Sequence, residues 1–374
     1  MIRSWLVLLL ALLCGPLRAE ESVAAELRTC ATFLLSKGET LLVGHNLDES
    51  IEVPGLLIVN PRGIAKQSLG YADMGFPGRK GPRISWTSRH GSVVYSTSGR
   101  EFIDGGMNEA GLYVGEMTLL GSEYPEGPSL TRIYHHAWMQ YLLDNFSTVQ
   151  EVIDSLANVV PDGHCQWHFM VADREGRAAV IEFDEKKTHV YSGGTLPWPV
   201  STNYTYPSCL KKLATFASFG GTRPIDWSAC KEDQRFMWAT AMLKEVREGA
   251  KTAEPAQAFA ILKQMACSGN RWSLVFDLKR MQVQWHSYRS RKVKSADFAS
   301  FDFSPGKPIL AVDIHHDIEG DVSKSFTRLS AEQNRAAVER FWKGVDAGAF
   351  GNLFWKGRLV NAMRAYVETL RPPP

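Results

Sequence analysis

The chain has 374 residues, of which 44% are apolar and 22% charged, and a formal net charge of +2. Apolar material is ample for a large core, and the interspersed charges carry no basic field of the kind a nucleic-acid partner requires. The most apolar run, Trp5 to Cys14, falls well short of the ~20 residues of a transmembrane helix, so stable membrane insertion is not expected.

That apolar run is the first recognisable element. Arg3 gives it a positive start and Gly15-Pro16 ends it before Leu17-Arg18-Ala19, the pattern of a secretory leader. Residues 1–19 are expected to be a signal peptide and 20–29 a propeptide, and the protein is expected to be exported, periplasmic or secreted. Leu13 is bulky where a lipoprotein acceptor needs small neighbours, which argues against lipidation of Cys14.

Segments 30–35 and 40–44 read as strands joined by Ser36-Lys37-Gly38-Glu39, a hairpin with glycine where positive φ is wanted. Further strands are predicted at 55–59, 92–96, 101–104 and 112–118, with a turn over 107–111. Helices are predicted at 130–145 and 148–157, the second opened by a Thr148 and Glu151 capping box. Strands at 167–172, 178–183 and 189–192 follow, then helices at 207–216, 231–247 and 255–267, then strands at 272–277 and 282–288. From 308 onward the pattern gives one strand and two amphipathic helices, 331–345 and 352–370.

Strand meanders without β-helix-β alternation predict an α+β fold. Two mostly antiparallel sheets would pack face to face with helices outside, a four-layer αββα sandwich carrying a C-terminal helical extension, in a single domain from 30 to 374. Cys165, Cys209, Cys230 and Cys267 could pair in three ways, among which spacing does not choose. No C-x-x-C or H-x-x-x-H spacing suggests a metal site, and the adjacent His315 and His316 would point to opposite faces of a strand, so neither a metal site nor a cofactor is expected.

Cys30 carries the chemistry. It opens the first strand just behind the leader, where proteolysis would make it residue one. Its thiol would then be the nucleophile, and its own α-amine, with an ordinary pKa of ~7.7–8.0, would be a built-in base.

Cys30 with the hairpin into Gly44-His45-Asn46-Leu47-Asp48 is followed by Gly106-Met107-Asn108-Glu109-Ala110-Gly111-Leu112, Ser201-Thr202-Asn203-Tyr204, Gln234-Arg235-Phe236 and Arg271-Trp272-Ser273. In this order the blocks resemble the choloylglycine hydrolase and penicillin V acylase family of N-terminal nucleophile (Ntn) hydrolases, and the isopenicillin N acyltransferases are similar over the same blocks. The resemblance implies the αββα fold, and attack by a cysteine on a linear, non-peptide C–N amide. It implies Cys30 as nucleophile with a depressed thiol pKa, Asp48 as the carboxylate holding the α-amine, Asn203 as an oxyanion donor, and Arg235 as the guanidinium near the thiolate.

Two positions depart from the family pattern. His45 stands where many relatives have arginine, so a charge that varies with pH around 6.5 is expected there, with a substrate-binding role. Thr118 stands where asparagine is more frequent, near the expected second oxyanion donor. The substrate is expected to be an N-acylated small molecule such as penicillin V, a conjugated bile acid, an N-acyl amino acid or an N-acyl homoserine lactone. Transfer to an amine acceptor is the enzymatic alternative, and a secreted binding protein with Cys30 in a disulfide is the non-catalytic one. Homo-oligomerisation is left open.

Overall fold

The computed structural model describes residues 30–49, 51–78, 80–227, 232–266, 269–345 and 356–370. The chain starts with the hairpin β1 (Ala31–Lys37) and β2 (Thr40–Asp48), followed by β3 (Leu56–Asn60) and the small pair β4 (Ala65–Gln67) and β5 (Ser85–Thr87). The meander β6 (Ser92–Ser96), β7 (Gly105–Asn108) and β8 (Tyr113–Thr118) comes next, then β9 (Thr131–Tyr134), helices α1 (His135–Asn145) and α2 (Val149–Ser155), and β10 (Val159–Asp162). Strands β11 (Trp167–Ala172), β12 (Ala178–Asp184), β13 (Lys187–Ser192) and β14 (Val200–Ser201) precede helices α3 (Tyr206–Leu213), α4 (Arg235–Glu248) and α5 (Pro255–Met265). The last strands are β15 (Asn270–Asp277), β16 (Gln282–Ser287), β17 (Lys294–Asp297), β18 (Leu310–Asp313), β19 (Gly320–Asp321) and β20 (Thr327–Arg328), before helices α6 (Ala331–Gly344) and α7 (Lys356–Thr369).

Among the described residues the strands form a seven-stranded sheet, β14-β1-β2-β15-β16-β17-β19, and a nine-stranded sheet, β13-β12-β11-β8-β7-β6-β3-β18-β20. Nearly all neighbours are antiparallel. Helices α4 and α5 pack on β1, β2 and β15, helix α1 packs on β7 and β8, and β1 meets β8 between the sheets. This is the expected αββα sandwich. Because β1 is covered on both faces, its first five residues are all buried, and the strand reads as a continuous apolar run instead of an alternating one.

Several element boundaries differ from the sequence expectation. Residues 101–104 are not a strand; the strand is β7, which includes residues read as a turn. A Cβ on Gly105 would come within 2.2 Å of the Tyr95 hydroxyl, so the glycines mark close strand packing where the sequence suggested a break. The predicted helix over 130–145 begins only at His135, because Thr131–Tyr134 pairs with Val159–Asp162 as a parallel strand. Thr131, Ile133 and Tyr134 suit a strand once those partners are present. The Thr148–Glu151 capping box forms as the sequence indicates. The C-terminal segment contributes strands to both sheets, β18 beside β3 and β19 beside β17. Its predicted helix starts at 352–355 lie outside the described residues, as do Cys230 and Cys267. No described helix is long and apolar enough to cross a membrane.

The tail is moored to a buried charge cluster. Lys66 Nζ lies 2.6 Å from Glu101 and 2.9 Å from Asp144, with all three side chains almost fully buried. Arg100 pairs with Glu101 and donates its backbone N–H to Asn334 of α6, and Tyr366 of α7 packs on Phe102 and donates to the Gln67 carbonyl. Removing one partner of a buried ion cluster leaves uncompensated charge. Lys66→Met should therefore lower folding stability by about 3–5 kcal/mol, read from the denaturant midpoint, and a second substitution, Glu101→Gln, should recover part of the loss.

Candidate active site

Strand register brings the predicted residues together. In the antiparallel pair β1–β14, Thr32 faces Ser201 and Phe33 faces Val200, so continuing that register sets Cys30 opposite Asn203. On the other edge Ala31 faces Asn46, which places Cys30 beside the Leu47–Asp48 end of β2. The end of β1 thus lies between Asn203 and Asp48, residues 155 positions apart in sequence.

Arg235, the first residue of α4, ties these two together. Its guanidinium is fully buried; Nη2 donates to Asp48 Oδ2 at 3.1 Å, Nη1 to Asn203 Oδ1 at 3.0 Å, and Nε to the Met265 carbonyl at 2.8 Å. The planar fork matches three fixed acceptors, which a lysine could not do. Asp48 Oδ1 also accepts from Asn270 Nδ2 at 2.9 Å.

Arg235 decides how Asn203 is oriented. Guanidinium only donates, so the amide oxygen faces Arg235 and the NH2 group faces away, toward the Thr118 carbonyl, to which Nδ2 donates at 2.8 Å. Thr118 was expected to mark a second donor, yet it meets Asn203 through its carbonyl as an acceptor. Its hydroxyl is buried and makes no hydrogen bond among the described residues.

The Cys30 sulfur lies 3.9 Å from Glu116 Oε1 on β8, across the space between the sheets, and is also hydrogen-bonded by the Asp48 backbone. Burial, followed by the charges of Glu116, Glu49 and Asp48, raises the thiol pKa well above its ordinary value. The depressed pKa expected from the resemblance is therefore corrected for the intact chain. The physical reason is burial first, and then the three carboxylates that surround the sulfur. Cys30, Cys165 and Cys209 are thiols, which removes support for the alternative with Cys30 in a disulfide.

Glu116 escaped the sequence reading, although a signal existed. It is the one charged residue in Tyr-Val-Gly-Glu-Met-Thr, a strand buried throughout, and a carboxylate on such a strand is rare without a partner or a task. Asn270 also escaped the sequence reading, and Ser273, part of the Arg271-Trp272-Ser273 block, was given no role. Ser273 donates to Asn46 Oδ1 at 2.6 Å, and Asn46 donates to the Leu262 carbonyl at 2.8 Å, fixing α5 on the sheet behind Asp48.

His45 shares a sheet face with Cys30, but its own surroundings are closed. Its Nδ1 is 2.8 Å from Thr32 Oγ1, and its ring lies 5.0 Å from that of Tyr95. Burial and the nearby Arg235 charge lower its pKa to about 3. The expected titration near 6.5 is therefore not supported, because a fully buried imidazole in the field of a nearby guanidinium stays neutral. With the folded pKa depressed below the unfolded value, stability is complete above pH ~6.5 and declines as pH falls toward ~3, by at most about 1.4 kcal/mol per pH unit from this residue. His45→Gln should flatten that slope in denaturation curves taken from pH ~4 to ~6.5, and should introduce no change in the neutral-pH limb of kcat/KM.

Comparison with known proteins agrees with this geometry. The family model for linear amide C-N hydrolases of the choloylglycine hydrolase family matches residues 30–242. Penicillin V acylase of Pectobacterium atrosepticum is 27% identical over 265 residues, 59% of this chain and 70% of that protein. The structure of penicillin V acylase from Agrobacterium tumefaciens superposes with a TM-score of 0.68 at 24% identity, covering 81% of this chain and 98% of that one. A variant of conjugated bile acid hydrolase from Clostridium perfringens gives 0.65 at 16% identity, covering 78% and 98%. Four layers in the Ntn-hydrolase arrangement, and a match that begins at Cys30 itself and covers more than half of the chain, place this protein in the choloylglycine hydrolase family of linear amide C–N hydrolases.

Proposed function

We propose that this protein is an exported cysteine Ntn hydrolase that cleaves the linear amide of an N-acylated small molecule, a penicillin V-like or bile-conjugate-like compound or an N-acyl amino acid or homoserine lactone. The observation that carries the reading is the Arg235 fork, which holds Asp48 and Asn203 on either side of Cys30. Export rests on the leader at 1–19.

Cleavage after Thr29 converts the Cys30 amide into an α-amine. The carboxylates of Asp48, Glu49 and Glu116, which disfavour a thiolate in the intact chain, then have a cation to face. The amine takes the thiol proton, and the resulting ammonium offsets their charge, so the same groups that suppress the thiolate before cleavage accommodate an ammonium–thiolate pair after it. The sulfur attacks the substrate carbonyl, the Asn203 NH2 donates to the oxyanion, and the Thr118 hydroxyl is the nearby side-chain donor with capacity to spare. The ammonium returns its proton to the leaving amine, and water hydrolyses the thioester by the same route.

Purified active protein should begin at Cys30 by intact mass, and Cys30→Ala should be inactive, with Thr29 still attached if processing is autocatalytic. Active protein that retains residues 20–29 overturns the reading.

Asn203→Ala should lower kcat about 10²–10³-fold with KM little changed, because an oxyanion donor acts in the transition state. The melting temperature has to be measured alongside, since Asn203 also accepts from Arg235. A folded variant with only a raised KM would make Asn203 a substrate-binding residue. Capture of the acyl group by added hydroxylamine in preference to water separates transfer from hydrolysis.

A further inference from the structure

A second cluster of reactive side chains lies apart from Cys30, and the family reading leaves it without a use. His135, His164 and Cys165 each place one ligand atom within 4.8 Å of the others. We propose that these three residues bind a single zinc-class transition-metal ion, with its fourth coordination position open to the adjoining cavity.

His135 is the fixed member. It is fully buried as the first residue of α1, and its Nδ1 sits 3.0 Å from the Asp162 carbonyl. A ring N–H given to a backbone carbonyl fixes the tautomer and makes Nε2 the nitrogen that carries the lone pair, the arrangement that orients metal-bound histidines. The backbone makes room for this ring. Gly163 has φ +140°, and a Cβ there would stand 2.1 Å from His135 Nδ1, so only glycine lets the Asp162–Cys165 turn close over the imidazole.

His164 and Cys165 follow on that same turn, and neither is fully buried. Donors around a zinc ion at ~2.0–2.3 Å are separated by roughly 3.3–3.8 Å, so these two side chains need to close on His135 by only about 1 Å. Two imidazoles and a thiolate are a donor set that zinc favours, and three protein ligands are the number found where the fourth position is kept for water or a ligand. The space for that ligand is present. A cavity of about 230 Å³ borders His164 and Cys165, and its other walls include Glu123, Glu126, Arg132 and Lys186. On binding, the Cys165 thiol proton is released to solvent as the sulfur–metal bond forms.

The sequence hides this site because its ligands follow no short motif. His135 and His164 are joined through the parallel pairing of β9 with β10, which sets Asp162 beside Tyr134. The site is also close to the amide chemistry. Trp167 pairs with Thr118, and Leu119 donates to the Gln166 carbonyl, so the metal would brace the strand end whose Thr118 carbonyl receives Asn203.

The test is titration of the chelator-treated full chain with cobalt(II), followed by displacement with zinc(II). One equivalent of cobalt should produce a thiolate-to-metal charge-transfer band that zinc removes, and zinc should raise the melting temperature. The band should persist in Cys30→Ser, which separates this proposal from the nucleophile reading, and vanish in Cys165→Ser. Gly163→Ala, which presses on the ring without removing a ligand, should weaken affinity about 10–100-fold. His164→Ala, at a position that is not fully buried, provides a ligand deletion that spares the core. No band in the wild type, or a band that survives Cys165→Ser, overturns the proposal.

Discussion

The buried guanidinium of Arg235 is the constraint on which the site depends. A fully buried cation is tolerated only where its nitrogens find acceptors and an anion is in contact, and Arg235 meets that condition with one acceptor at each nitrogen: the Met265 carbonyl at Nε, Asn203 at Nη1 and Asp48 at Nη2. These acceptors belong to β2, the segment after β14, and the end of α5. The ion pair therefore fixes a helix layer to both flanks of β1, and it sets the direction in which the Asn203 amide can donate. Loss of the arginine would take away the cation that pairs with the buried Asp48 carboxylate, so structure and chemistry would fail together.

The electrostatics on the inner side of the sheet have the opposite sign. Glu116 reaches the Cys30 sulfur from the facing sheet, and with Glu49 and Asp48 it makes the intact site hostile to a thiolate. An environment of this kind admits a thiolate only if a cation arrives at the same place. In the proposed reading, cleavage after Thr29 would supply it as the α-ammonium of Cys30 itself. His45, by contrast, is held neutral by burial and by Arg235, so the pH sensitivity its residue type suggests belongs to the folding equilibrium.

The sheets are what bring these groups within reach. Cys30, Thr32 and His45 share the inner face, toward Tyr113 and Glu116 of β8, while Asn46 and Asp48 turn to the helices on the outer face. Period-two alternation along two paired strands thus separates the sulfur from the arginine while keeping both at one strand end. The buried Lys66 cluster plays a related part at the far sheet, where it anchors the C-terminal helices against β4 and α1.

Sequence by itself determined the class of fold, the first hairpin, the placement of Cys30 at a strand start, and an ordered set of blocks that singled out Asp48, Asn203 and Arg235. These were legible because strand and helix periodicity, turn glycines and caps are local, and because the blocks keep their order along the chain. Tertiary structure alone decided the rest. Met107 and Asn108 read as the start of a turn until they are seen inside β7, and residues 131–134 read as helix until Val159–Asp162 supplies a partner strand. Glu116 becomes a neighbour of Cys30 only when two sheets face each other, and the thiol and imidazole pKa directions follow from burial and from charges remote in sequence. Contacts between strands far apart in the chain, and the desolvation that accompanies them, leave no local periodic trace, which is why the residues were readable while their electrostatic states were not.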